Sequence, residues 1–412
     1  MPQSSRRSWI GIQPTAADAI LSVAYSAGVT SIVLASSQTW TTAPASGQVM
    51  VIVDGYNTEQ VTVTTYASGT VTCPATAYAH GNGTYVYFQA AATPAPTAYV
   101  PVTKIDAQDN IAMLQDKGFR GSQISVAGVQ QGMRVGKLSF DGDFFPDTAG
   151  YWLNSLFGYY KYTATVVSTT PTNYAFSQCN TTPANQPGQP APVLVYVYSP
   201  ATGTTRVYAS AIVSDFSLKV DPGSLMSYSC TLMAYASGVV TSPATIPPAF
   251  STFTPVASRV AQMSLAGTPS IKVETADFSW KRADAAPINT LQGIQDPMTL
   301  FVGPLDLSIK AKLVCDSDTE LNYYLKGTQN SVVLTANQGT LDAVNGIKVS
   351  CTKVNYDDAN ISRDKAYVEI ACSMSAIANT TDVATGGNGL SSSLVTLSTG
   401  TAGTALQYGT IA

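Results

Sequence analysis

Apolar and polar residues alternate at every second position through most of this chain, which is the pattern of half-buried β-strands. The alternation is clearest in residues 20–88, in the runs SIVLA, QVMVIVD, EQVTVTTY, GTVTCP and TYVYF. Turn signals such as Asp54-Gly55 and Ser68-Gly69 separate these runs. The segment therefore predicts a compact all-β module of about 70 residues. No run of 18 apolar residues occurs, so we expect no membrane span.

An internal repeat is the most informative feature of the rest of the chain. Residues 138–158 align without a gap to residues 307–327, and residues 207–236 match residues 347–378. In each copy an alternating strand runs into a short helical segment, and a long hairpin follows. The pattern predicts two related β domains, each with one short flanking helix.

The predicted helices have start and stop signals. Asp147 and Asp316 are expected to cap the two helices, and a glycine closes each. Ser317 and Glu320 form a possible capping box in the second copy.

Two leucine-containing pairs mark the buried faces of these helices. Trp152 and Leu156 are four residues apart, as are Leu321 and Leu325, so the members of each pair share one helix face. We expect all four side chains to lie in the helix core.

The polar face of the repeated strand carries charges that change sign between the copies. Copy one has Lys137, Asp141 and Asp143, and copy two has Asp306, Lys310 and Lys312. If the copies alternate around a ring, these six side chains are candidate contacts between domains. The alternative is two independently solvated faces.

Breaks in composition divide the chain. A linker rich in Ala, Pro and Thr precedes residue 102, and the last residues are rich in Gly, Ser and Thr. The expected organisation is a first domain at 1–14 and 93–247, an inserted β module at 15–92, a second domain at 248–378 and a flexible tail at 379–412.

Composition narrows the function. Of 412 residues only 11% are charged, the net charge is −4, and His80 is the one histidine. A two-histidine metal site is excluded, and no window is basic enough to hold nucleic acid by its phosphates. No nucleophile or phosphate-loop motif occurs, and the Asp-rich spots lack the calcium-loop spacing. The six cysteines, without metal-ligand spacing, are interpreted as buried thiols. We expect no enzyme, no cofactor and no metal.

Several segments resemble the tail tube (major tail) proteins of long-tailed bacteriophages. They are RSWIGIQPT near the amino terminus, GFRG at 118–121, VGKLSFDGDFFPDTAGYWLNSLFG, SAIVSDFSLKVD and SIKVETADFSWKRADAAPINTLQG. The resemblance implies β-sandwich domains whose long strands pair across subunits into a continuous β-barrel. Family members with a duplicated domain form trimers that imitate hexamers.

The resemblance further implies a virion tail protein, assembled in the host cytoplasm, whose stacked homotrimeric rings form the tube for genome delivery. Double-stranded DNA would pass through the lumen without specific binding, and tape measure, tail terminator and baseplate proteins would be partners. The inserted module departs from the family pattern and is interpreted as an outward decoration domain. Residues 1–14, 159–205 and 379–412 are expected to join one ring to the next.

Other classes fit parts of the sequence. A secreted or cell-surface adhesin of tandem β-sandwiches has a similar composition, and Ser5–Ile10 imitates a twin-arginine export signal. A β-sandwich carbohydrate-active enzyme would need a pair of carboxylates in a cleft. A capsid decoration or tail terminator protein is a further virion role.

Overall fold

The computed structural model describes most of the chain. The described residues are 9–14, 19–35, 44, 46–47, 49–53, 59–82, 84–89, 96, 98–116, 126, 128–163, 172–178, 190, 192–201, 203–240, 253–283, 285–289, 297, 299–338, 345–387 and 389–399. Cys179, the GFRG segment and residues 400–412 lie outside them.

Most described elements are strands, as the two-residue alternation predicts. The elements of the first half of the chain are β1 (Trp9–Pro14), β2 (Ala19–Ile20), β3 (Ser31–Val33), β4 (Val49–Val53), β5 (Glu59–Thr62), β6 (Thr65–Ala67), β7 (Thr70–Thr72), β8 (Tyr85–Gln89), β9 (Ala98–Val100), β10 (Lys104–Asp116), β11 (Gly128–Asp143), helix α1 (Pro146–Phe157), β12 (Gly158–Thr163), β13 (Thr172–Gln178), β14 (Val193–Ser199), β15 (Thr204–Val220), β16 (Ser227–Ala234) and β17 (Gly238–Val240).

The second half continues in the same way after a short 3-10 turn at Ser258–Val260. Its elements are β18 (Ala261–Leu265), β19 (Thr268–Ser270), β20 (Val273–Arg282), β21 (Ala286–Ile288), β22 (Thr299–Phe301), β23 (Leu305–Val314), helix α2 (Thr319–Lys326), β24 (Asn330–Gln338), β25 (Asn345–Ser362), β26 (Glu369–Ala376) and β27 (Leu394–Thr399).

Eight antiparallel strands form the centre of the molecule, in the order β10-β11-β16-β15-β20-β23-β26-β25. We call this the inner sheet. Its first four strands belong to the first copy of the repeat and its last four to the second copy. The pairing of β15 with β20 joins the two copies edge to edge. Because α1 follows β11 as α2 follows β23, the repeat is visible in the order of the elements.

The long strands β15 and β25 each take part in two sheets. Their first halves pair with outer strands: β15 with β14 and β17, and β25 with β24 and β27. A bulge then redirects each strand into the inner sheet, at Ser214 in β15 and at Asp357 in β25. An extra residue bends a strand and increases its twist, so matching bulges let both copies wrap around their cores alike.

One hydrophobic core runs through both copies. Trp152, Phe216 and Trp280 are among its fully buried side chains, and the rings of Phe216 and Trp280 lie 6.0 Å apart across the β15–β20 junction. The predicted fold class is confirmed: the chain is mainly β, with two repeated units that each carry a short helix, and a small all-β module.

The inserted module has its own core. Leu21, Ile32, Met50 and Val86 are among its buried residues, and none of them belongs to the core of the repeated units. Its strands form one sheet in the order β2-β8-β4-β5 and a second in the order β3-β7-β6. His80 lies inside this module, where its Nε2 is 2.6 Å from Oε1 of Glu59. A histidine next to a turn is usually exposed, but this side chain is buried and has the Glu59 carboxylate as a partner.

The predicted helix starts are wrong at both copies. Phe145 is the N-cap of α1, so Asp147 lies in the first turn and Pro146 occupies the first helical position. Asp318, not Asp316, is the N-cap of α2, and it makes no side-chain capping bond. Ser317 instead pairs with the Thr319 hydroxyl at 3.0 Å, so the capping box does not form.

The helix ends follow the prediction. Gly158 and Gly327 close the two helices with φ of 80° and 61°, in the left-handed region that favours glycine.

The prediction of a flexible tail is wrong for residues 379–399 in so far as they are described. Strand β27 lies between β13 and β25, and the side chains of Val395 and Leu397 are fully buried. Before it, Asn379 and Asp382 form a buried turn in which the Asn379 Nδ2 donates to Asp382 at 2.7 Å. The apolar alternation of LVTLST was sufficient to form a strand despite its Gly-rich and Ser-rich surroundings.

Candidate assembly surfaces

The inner sheet has one apolar face, turned to the core, and one polar face. Five serines face one another along a single row of the polar face, on consecutive strands from β16 to β26. This row is Ser229, Ser217, Ser279, Ser308 and Ser375. A face of small hydroxyl side chains is smooth and uncharged at its centre.

Charges of both signs flank the serine row. The polar face carries six lysines and eight carboxylates. They are Lys104, Lys137, Lys219, Lys281, Lys310 and Lys312, with Asp106, Asp141, Asp143, Asp215, Asp277, Asp306, Asp358 and Glu369. A face of mixed sign with a small acidic excess has no basic stripe to retain phosphates.

The junction between the two copies is a nearly symmetric strand pair. Ser217 lies opposite Ser279 at its centre, and on either side Asp215 faces Lys281 and Lys219 faces Asp277. Opposite charges directly across an antiparallel pair stabilise it by about 0.2–1 kcal/mol each. The junction therefore places opposite charges in register on the polar face, with aromatic packing underneath.

Sequence reasoning missed these four charged residues. The signal was present, since the two paired segments read DFSLK and DFSWK, residues 215–219 and 277–281. Two nearly identical pentapeptides with Asp at one end and Lys at the other are complementary when they run antiparallel. Alignment of the repeat alone conceals this match, because the two segments are not equivalent positions of the repeat.

Arg282, at the end of β20, binds the carboxyl end of α1. Its Nε donates to the carbonyl oxygen of Leu156 at 2.9 Å, and its Nη1 donates to the carbonyl of Gly303 at 3.1 Å. The side chain is buried. A cation at a helix C-terminus satisfies terminal carbonyls and complements the helix dipole, so the second copy closes the helix of the first.

Two stretches of the inner sheet have a partner on one side only. Among the described strands, β10 is in register with β11 alone. The second half of β25, after its bulge, is in register with β26 alone. The sheet therefore ends in two open edges, one in each copy, and open edges are sites of strand pairing with another chain.

The six predicted contact residues do not face one another across the junction. They lie on β11 and β23, which β16, β15 and β20 separate in the sheet. Within the chain their neighbours are other groups: Lys104 is 3.8 Å from Asp141, and Lys312 is 3.5 Å from Glu369. Within the chain these two strands do not meet, because each is an inner strand of its own four-stranded unit, and a contact of these side chains between chains stays a prediction.

The observed strand register also changes the predicted reversal of charge between the two copies of the repeat. Phe140 lies opposite Cys230, but its sequence counterpart Ile309 lies opposite Met374, and Ala311 is the residue opposite Cys372. The two copies thus differ by two residues in register along this strand. By ladder position Lys137, Asp141 and Asp143 correspond to Ser308, Lys312 and Val314, and the sign change remains only for Asp141 and Lys312.

The four predicted helix core residues have unequal environments. Trp152 and Leu156 are fully buried, Leu321 is partly buried against the core, and Leu325 is 67% exposed. The expectation of a core position is wrong for Leu325 within this chain. Helix α2 packs on β25, where the rings of Tyr323 and Tyr356 lie 5.7 Å apart, and its outer side is left uncovered.

The described cysteines are structural thiols. All five are free, and four of them are buried. Burial raises the pKa of the Cys372 thiol to about 12 and also raises the pKa of the Cys230 thiol. These groups are therefore protonated and unreactive at neutral pH.

The described residues contain no group of three or more His, Cys, Asp or Glu side chains arranged to hold a metal ion. No helix among them has the length and hydropathy needed to span a membrane.

The described part of the chain is a repeated β unit with open strand edges, and such edges are sites of assembly with other chains. The family model of phage tail tube proteins matches residues 11–378, which is most of the chain. The chain belongs to the phage tail tube protein family. Comparison with curated protein sequences returned no match. The protein is therefore a structural component of a phage tail.

Proposed function

We propose that three copies of this chain close into a ring of six four-stranded units, and that such rings stack into the tube through which the phage genome passes. The observation that supports this proposal is the inner sheet with its two open edges. The same molecule offers one edge on β10 and a different edge on β25, which is a head-to-tail arrangement. Head-to-tail contacts form closed rings when the rotation between subunits allows it.

Ring closure would also solve a stability problem. An open sheet of eight strands leaves backbone groups on its outer edges free to pair with any other strand, and a closed barrel has no edges. The polar face of the inner sheet would then line the lumen. Its serine row and mixed charges suit a channel in which DNA slides, since each phosphate contact with a basic group would hold it back.

For ring stacking we favour a different surface from the three segments expected from the sequence. The described parts of residues 1–14, 159–205 and 379–412 include β1, β12–β14 and β27, which pair within the chain. The β10–β11 hairpin extends beyond the sheet instead, and Met113 and Leu114 at its end are more than half exposed. We place ring-to-ring contacts there. Tape measure, tail terminator and baseplate proteins would meet the ends of the tube, after assembly in the host cytoplasm.

Electron microscopy of the purified chain tests the proposal. We expect rings or tubes with a central channel, a three-fold cross-section and three chains per ring by native mass spectrometry. Monomers at high concentration, or separate rings that never stack, would contradict it, and the latter would favour a tail terminator. Specific binding to a host surface by a monomer would favour the adhesin.

A further inference from the structure

The junction inside the chain is formed by an edge that accepts a strand, the acceptor, and by the strand that pairs with it, the donor. The repeat contains a second example of each. The acceptor side is the second half of β15 together with the end of α1, and the donor is β20. The repeat supplies a second acceptor, β25 with α2, and a second donor, β10. In the described part of the chain these two have no strand on their outer edges.

The bulges fix which residues of the acceptor strands are equivalent. Ser214 in β15 and Asp357 in β25 are the bulged residues, and both interruptions fall at the same point of the neighbouring strands β16 and β26. Residues 215–219 therefore correspond to residues 358–362.

The ladder fixes the donor strands in the same way. Ile105 faces Phe140, which faces Cys230, and Ala276 faces Ala311, which faces Cys372. Ile105 and Ala276 are therefore equivalent. Residues 277–281, which pair with β15, correspond to residues 106–110 of β10.

We propose that the open edge of β25 pairs with β10 of a neighbouring chain, another molecule of this protein. The two strands run antiparallel, with Asn360 opposite Gln108 of the neighbouring chain. This inference rests on the proposed ring and specifies its lateral contact. The register places Asp358 opposite Asn110 of the neighbouring chain, and Ser362 opposite Asp106 of the neighbouring chain. It repeats the geometry in which Asp215 faces Lys281 and Lys219 faces Asp277 within the chain.

The side chains fit this register. Each of the two aspartates meets a neutral hydrogen-bond donor, an amide or a hydroxyl, and no like charges lie directly opposite. In the single chain the central amides bind their own strand: Gln108 Nε2 donates to Asp106 at 2.9 Å and Asn360 Nδ2 donates to Asp358 at 2.5 Å. Both amides are on the polar face and can bridge the new pair.

The helix contact is complementary as well, although its chemistry changes. Counting back from the closing glycines, Leu156 and Phe157 of α1 correspond to Leu325 and Lys326 of α2. Their partners inside the chain are Arg282, bonded to the Leu156 carbonyl, and Trp280, whose ring lies 6.3 Å from that of Phe157.

In the ladder, Arg282 and Trp280 correspond to Ile111 and Asp109. The contact between chains therefore brings Ile111 of the neighbouring chain to Leu325, and Asp109 of the neighbouring chain to Lys326. Ile111 is 37% exposed and Leu325 is 67% exposed in the single chain. An apolar pair and an opposite-charge pair thus replace the guanidinium cap and the aromatic pair, and Lys326 would join an Asp109 carboxylate that already binds Arg206 of its own chain at 3.0 Å.

Paired cysteines test the register. The background is Cys315→Ser, since Cys315 is the described cysteine that is not fully buried. Directly opposite residues on paired strands have Cα atoms about 4.5–5.5 Å apart, within disulfide range. We expect Gln108→Cys with Asn360→Cys to give covalent dimers and trimers on oxidation, seen on a non-reducing gel. Each single variant should give the background level only.

The matched control is Asn110→Cys with Ser362→Cys, whose residues the register separates by four positions, or about 13 Å. Cross-linking of the control as efficient as that of the test pair would overturn the register. Wild-type tubes without any cross-link in the test pair would also overturn it, while the proposed function would stand. A wild-type chain that forms no rings would contradict the proposed function itself.

A charge reversal tests the helix contact separately. Lys326→Glu places a carboxylate beside Asp109 of the neighbouring chain, and we expect the concentration needed for assembly to rise about fivefold. Lys348→Glu, on an exposed lysine of the outer part of β25, is the control and should assemble like the wild type. Equal assembly of the two variants would overturn the contact at α2.

Discussion

The two helices of the repeat occupy equivalent places but have opposite environments. All twelve residues of α1 are buried, beneath β12, β13 and β27 and against β15. Of the eight residues of α2 only Glu320 is buried, and Tyr324 and Leu325 are exposed. The first copy is thus completed by other parts of its own chain, whereas in the described part of the chain the same position of the second copy is open.

The residues at the helix ends match this difference. Helix α1 ends on Leu156 and Phe157, which face Arg282 and Trp280 of the second copy. Helix α2 ends on Leu325 and Lys326, a pair that tolerates water and still offers an apolar and a charged contact. A helix that must stay soluble before assembly needs such an end, because a long-lived apolar patch would attract other partners.

Shortening the equivalent leucines is expected to separate the two helices most strongly. Leu156→Ala removes a fully buried side chain, and we expect it to lower the free energy of unfolding by about 3 kcal/mol. Leu325→Ala removes an exposed one and should change the stability of the single chain by less than about 0.5 kcal/mol. Urea denaturation of the unassembled chains measures both. Equal losses would mean that α2 is covered within the chain.

The cap on α1 should give the next largest effect. Arg282→Ala leaves the carbonyls of Leu156 and Gly303 without their donor in a buried place, and we expect a loss of about 2–3 kcal/mol in the same assay. Its ladder counterpart provides the comparison: Ile111→Ala should leave the single chain nearly unchanged and weaken ring formation. If Arg282→Ala were neutral, the second copy would not hold the first helix.

Much of this architecture could be predicted from the sequence because strands and repeats have periodic signals. The alternation in residues 138–144 predicted the apolar face of β11, and the closing glycines marked both helix ends. The match of residues 207–236 to residues 347–378 puts Cys230 and Cys372 at equivalent places, and the strand register agrees, since Cys230 lies opposite Phe216 and Cys372 opposite Ala359. These features are local, or they depend on matching one segment with another.

The ladder register could not be predicted in the same way. A shift of two residues keeps every side chain on its face, so Leu138 aligned with Leu307 looks as favourable as the observed match with Ile309. The neighbours of β11 and β23 also depend on strand order, which alternation does not encode. For this reason the charged candidates were placed on the correct face but beside the wrong strands.

The charge pairs across the internal junction should have a smaller effect than the helix contacts. Reversing Lys219→Asp alone places like charges opposite each other at Asp277, and we expect a loss of about 0.5–1 kcal/mol. Adding Asp277→Lys restores opposite charges across the junction but places a lysine opposite Lys310 of β23, so we expect it to recover only part of that loss. A double variant that is no more stable than the single ones would show that these positions are independent, as on two solvated faces.

The smallest expected effect distinguishes the hairpin ends of the two copies. In copy two, Lys365 on the β25–β26 hairpin lies 3.0 Å from Glu274 of β20, and hydrogen bonds from Tyr367 and Lys365 lower the pKa of Glu274. Counting along the strands from the equivalent residues Ile105 and Ala276, copy one has Thr103 in place of Glu274, and the Thr103 hydroxyl donates to the backbone carbonyl of Asp141.

Because the folded pKa of Glu274 is lowered, its contribution to stability is present above the unfolded value of about 4.3 and is lost as the pH falls below it. We therefore expect the wild type to exceed Glu274→Gln slightly in free energy of unfolding at pH 7, and the difference to shrink toward pH 3. Thr103→Val is the control and should show no such pH dependence. A difference that stayed constant between pH 7 and pH 3 would mean that the carboxylate is not held by its neighbours.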